Sequence, residues 1–143
     1  ASELLSEHGI SSEVWSVTSY GELRREGLEH ERSRRLNPEI SEEPYVSRCF
    51  GDETPTVATS DYICSVPEMI QRWIGGRYIV LGTDGFGRSD TREALRSFFE
   101  IDTNSIVVAS ISALEQEGTL PSGTVEKELE KRNLNKERID KTE

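Results

Sequence analysis

The sequence predicts an α/β domain. Three observations carry that prediction. Short β-branched or aromatic runs occupy 56–60 and 78–81, an apolar pattern at helical spacing lies between them, and a glycine-rich turn leads from the second run straight into another helix. Strands that alternate with helices belong to layered α/β architectures, so the order strand, helix, strand, turn, helix points to a mostly parallel sheet.

Each element has its own signal. The opening ASELLSEHG reads as the last turns of an amphipathic helix, with Leu4 and Leu5 apolar and Gly9 placed to end it, so the chain is expected to begin inside an element. Residues 14–18 alternate Trp15 and Val17 against Ser16 and Thr18, which predicts a half-buried strand near a sheet edge. A charged helix is expected from Tyr20 to Leu36, stopped by Asn37-Pro38, and a short helix follows Pro44 through Tyr45 and Phe50. After the strand at 56–60, residues 64–74 place Val66, Met69, Ile70, Trp73 and Ile74 on one helical face, ended by Gly75-Gly76. Two more helices are expected over 91–100, with Leu95, Phe98 and Phe99, and over 104–117, with Ile106, Ala109, Ala113 and Leu114. Residues 1–121 read as one domain, and 122–143 as its closing helix, with Val125 and Leu129, and a frayed mixed-charge tail.

Composition narrows the function classes. With 143 residues and 34% hydrophobic content the chain suits a single core. A net charge of −10 argues against a nucleic-acid partner, which requires a surplus of Lys and Arg on one surface. The one basic cluster, Arg24, Arg25, Arg32, Arg34 and Arg35, is interrupted by Glu26, Glu29 and Glu31 and reads as a solvated helix face. No apolar run approaches the roughly 18 residues of a membrane span, and no basic-then-apolar leader opens the chain, so no membrane partner and a cytoplasmic location are expected. Cys49 and Cys64 read as reduced, partly buried thiols, and His8 and His30 stand in no metal-ligand spacing, so no metal site is expected.

The most distinctive segment is 82–93, GTDGFGRSDTRE, directly after a strand and directly before a helix. Gly82, Gly85 and Gly87 permit a tight turn, Asp90 followed by Glu93 makes a capping-box pattern, and Phe86 is expected to anchor the loop against neighbouring apolar side chains. The glycine spacing is neither the dinucleotide fingerprint nor the P-loop, and Asp84-Gly85-Phe86 is not the kinase order. The expected role of Gly82, Asp84, Gly85, Phe86, Gly87, Arg88, Asp90 and Glu93 is therefore that of a structural loop.

Beyond spacing, LGTDGFGRSDTREALRSFFEID closely resembles the corresponding segment of the bacterial homodimeric pyruvate dehydrogenase decarboxylating components. EVWSVTSYGELRREGLEHER, the later Pro44-Tyr45-Val46, SDYICSVPEMIQRWI and SIVVASISALEQEG resemble the same family, so the likeness covers nearly the whole chain. The resemblance implies a three-layer α/β/α transketolase C-terminal-like domain with a mostly parallel sheet, third in a much longer subunit. It implies a parent enzyme that uses thiamine diphosphate and Mg2+ to decarboxylate pyruvate and then acetylates the lipoyl group of the acetyltransferase component. The family's Gly-Asp-Gly and distant Asn motif is absent here, so the resemblance assigns no catalytic, cofactor-binding or metal residue to this chain.

The implied partners are the other domains of the same subunit, a second subunit of a homodimer, and the lipoyl acetyltransferase. The family's domain also opens with a strand that this sequence lacks, which leads to the expectation that the strands near Val14 and Val57 do not lie adjacent as a completed pair. Two functions follow: a structural and assembly domain of the decarboxylating component, or a non-catalytic effector-binding or docking module. In the second, Glu29, Glu31, Glu42 and Glu43 would face a basic peripheral domain of the acetyltransferase core. For the loop, the functional alternative is that Asp84 or Arg88 reaches the subunit interface or the active-site entrance.

Overall fold

A computed structural model of the chain describes residues 1–134. Helix α1 (Ser2–Glu7) ends at Gly9, whose φ of +71° suits a residue without a Cβ. Helix α2 (Tyr20–Leu36) opens where the Ser19 hydroxyl accepts the Glu22 N–H, and it stops before Pro38. Its mixed charges pair along the surface, Arg25 with Glu22 and Arg32 with Glu29, in keeping with their interleaving in the sequence. Helix α3 (Tyr45–Phe50) follows Pro44. Strands β1 (Thr56–Thr59) and β2 (Tyr78–Leu81) then pair in parallel, Thr56 opposite Tyr78 and Thr59 opposite Leu81.

The expected helix over 64–74 is broken. It forms α4 (Ser65–Glu68) and, after a bend, a 3-10 turn at Gln71–Trp73. Pro67 lies in the last turn of α4, just before the break at Met69 and Ile70. Its carbonyl accepts the Ile70 N–H at 3.4 Å and the Tyr78 hydroxyl at 3.0 Å, so the ladder tightens to three-residue spacing. Burial, with Tyr20 and Glu68 nearby, pushes the Tyr78 hydroxyl upward and keeps it a donor. The apolar face survives the break: Ile70 and Trp73 are buried with Val46, and Leu23, Leu28 and Phe50 pack around them.

The strand expected at 14–18 does not form; β1 and β2 are the strands of the sheet among the described residues. Alternation alone makes no strand without a neighbour to take its backbone hydrogen bonds. Val14 is 83% exposed, and Trp15 instead meets Phe50 edge-on at 5.2 Å. The 14–18 segment and β1 are thus not paired with each other, because 14–18 forms no strand rather than because a gap separates two strands.

Helix α5 (Arg92–Phe98) leads into α6 (Thr103–Gln116), which starts where Asp102 Oδ1 accepts the Ser105 N–H at 2.8 Å. Val107 and Ile111 of α6 join Leu5 in a second core, against which Leu4, Ile10, Leu120 and Val125 pack. Helix α7 (Thr124–Lys131) closes that core, its first turn held by Glu115, whose two carboxylate oxygens accept the Gly123 and Val125 N–H groups at 2.8 Å. The charged tail expected beyond α7 lies largely outside the described residues.

Candidate functional site

Because β1 and β2 run parallel, both end at the same edge of the sheet, which is where ligands and partners of α/β sheets meet loops. The loop 60–64 leaves β1 there and the loop 82–91 leaves β2. They are tied to each other. Thr83 N–H donates to the Tyr62 carbonyl at 2.9 Å, Thr83 Oγ1 donates to the Asp61 carbonyl at 2.8 Å, and Asp84 Oδ1 accepts the Cys64 N–H at 2.9 Å. Gly82 is required by that approach, since a Cβ there would lie 2.7 Å from the Tyr62 carbonyl oxygen. Gly85 holds φ at +108°, the left-handed side that favours glycine, whereas Gly87 has no positive φ and a Cβ there would meet nothing within 4 Å.

Two expectations for this loop are corrected. Asp90 is not the cap of α5: its Oδ1 accepts the adjacent Thr91 N–H at 2.7 Å, and Thr91 is the cap, its Oγ1 accepting the Ala94 N–H at 3.3 Å. The cap falls on the last residue with extended backbone before the helix, and that residue is Thr91 at φ −64°, ψ 153°. Glu93 stands in the first turn, where a carboxylate complements the helix dipole. Phe86 does not anchor the loop either, being 74% exposed. The tie on that side is Arg88, whose guanidinium lies 4.1 Å from the centroid of the Phe98 ring.

The carboxylates of the loop do not converge on a metal. Asp84 and Asp90 each accept a backbone N–H, and among the described residues no cluster of three or more His, Cys, Asp or Glu side chains is positioned to hold a metal ion. The carboxylates of Asp84 and Asp90 thus serve the backbone of the loop. Neither Cys49 nor Cys64 is part of a disulfide, and both are half-buried. Beside the loops runs a groove of about 590 Å³ lined by Ser60, Asp61, Glu93, Arg96, Asp102 and Thr103. A larger open groove of about 810 Å³ lies at the opposite edge, near Gln71, Gly76, Arg77 and Glu117, and contains none of the predicted loop residues.

Sequence reasoning missed Tyr62 and Ile63. They are 69% and 51% exposed on the loop bonded to 82–84. Their only signal in the sequence is that they fall before the apolar helical face that begins at Val66. No described helix is long and apolar enough to cross a membrane.

Comparison with known proteins adds the family. Residues 1–102 match the transketolase-like TK C-terminal domain. Among curated relatives, the chain is 41% identical over 138 residues to the pyruvate dehydrogenase E1 component of Pseudomonas aeruginosa, covering 94% of this chain and 16% of that protein. It is 44% identical over 119 residues to the one from Mycolicibacterium smegmatis, 82% of this chain and 13% of the relative, and 39% identical over 142 residues to the one from Escherichia coli K12, 97% and 16%. The chain thus spans about one sixth or less of the length of the relatives it matches. With more than two thirds of its length matched and an α/β arrangement around a parallel strand pair, the chain belongs to the transketolase-like C-terminal domain family.

Proposed function

We propose that this chain acts as the structural and assembly domain of a pyruvate dehydrogenase E1 component, contributing shape and contacts and no catalytic group of its own. The observation that carries the reading is the similarity to E1 components over nearly the whole chain, 97% of it in one case. It is supported by the edge loops, whose polar groups are engaged in holding the backbone together. In this reading the parent protein decarboxylates pyruvate with thiamine diphosphate and Mg2+, passes the acetyl group to the lipoyl group of the acetyltransferase component, and works as a cytoplasmic homodimer. The groups that bind the cofactor belong to other parts of that protein. Residues 1–121 and the helix that follows work as one unit, consistent with the packing of Val125 on the α6 core.

Calorimetric titration of the 143-residue chain with thiamine diphosphate and Mg2+ tests the reading. No saturable heat is expected. Micromolar binding would mean that the cofactor site lies in this domain and that the assembly role is wrong.

A further inference from the structure

We draw no further inference here: the strongest candidate, the open groove of about 810 Å³ beside Glu53, Arg77 and Glu117 at the edge of the sheet opposite the loops, is lined by exposed side chains of both charges, and nothing in the structure shows what covers it.

Discussion

A single hydroxyl sets where α5 begins. Asp90 and Thr91 are both good capping residues, and only the backbone decides between them; the sequence pattern of Asp90 with Glu93 marks the right turn and the wrong residue. Thr91→Ala is expected to cost about 1 kcal/mol. Asp90→Ala should cost less, since its carboxylate holds only the neighbouring N–H. Calorimetric melting of the two variants checks the order. Gly27 is the opposite kind of residue, silent in the sequence and decisive in packing. It lies buried on α2 against the Trp73 ring, and a Cβ there would stand 2.6 Å from the ring. Gly27→Ala is expected to destabilise by about 1–3 kcal/mol through overpacking. Gly87→Ala should fall within about 0.5 kcal/mol of the parent, as ordinary surface changes do. Denaturant titration of both glycine variants tests the contrast.

Elements with local start and stop signals were legible. Helix α2 has Ser19 before it and Pro38 after it, and β2 follows Gly75-Gly76, where backbone carbonyls of Gly51 and Thr54 leave no room for a Cβ. Elements that depend on distant partners were not. The 14–18 segment has the alternation of a strand but no strand beside it, and the 64–74 helix is interrupted where the Pro67 carbonyl meets Tyr78, a contact invisible in a linear pattern. Helix α7 shows such a distant partner acting through charge. The N–H groups of Val125, Gly123 and Thr124 hold the Glu115 carboxyl below the ordinary glutamate range. A carboxyl lowered in the folded state contributes stability above its unfolded value, and that contribution is lost as the pH falls through the folded one. The protection factors of the α7 amides, taken relative to intrinsic exchange at each pH, are therefore expected to fall as the pH drops below about 4.5, the ordinary glutamate value. Glu115→Gln should remove this acid dependence while leaving the amides less protected at neutral pH.

Across the whole molecule, Glu128 joins three helices. It is 4% exposed, with His8 Nε2 at the end of α1 at 3.2 Å, Arg132 Nε at 3.1 Å and Lys131 Nζ at 3.8 Å, while Arg132 also donates to Asn104 of α6 at 2.7 Å. Removing the carboxylate leaves Arg132, whose side chain is 9% exposed, without its counter-charge. Glu128→Ala is expected to cost about 3 kcal/mol and to lower the thermal midpoint measurably. Nothing in the sequence pattern singled out this glutamate, because its partners come from both ends of the chain. The candidate loop was legible as a strand-to-helix turn from its glycines and acids, and its family from the long match around it. Its exposed face was not, because the exposure of Phe86 depends on where the loop at Tyr62 runs. The decisive measurement for that loop is kinetic, in an intact E1-type protein. Asp84 holds the Cys64 N–H and Arg88 lies over Phe98, so Asp84→Asn and Arg88→Ala are expected to lower the thermal midpoint and to leave the turnover number within about twofold. A fall in turnover of several orders of magnitude, at unchanged thermal midpoint and dimer affinity, would make the loop part of the active-site entrance. Intermediate losses that track the thermal midpoint support the architectural role, since they vanish when activity is measured well below the unfolding transition.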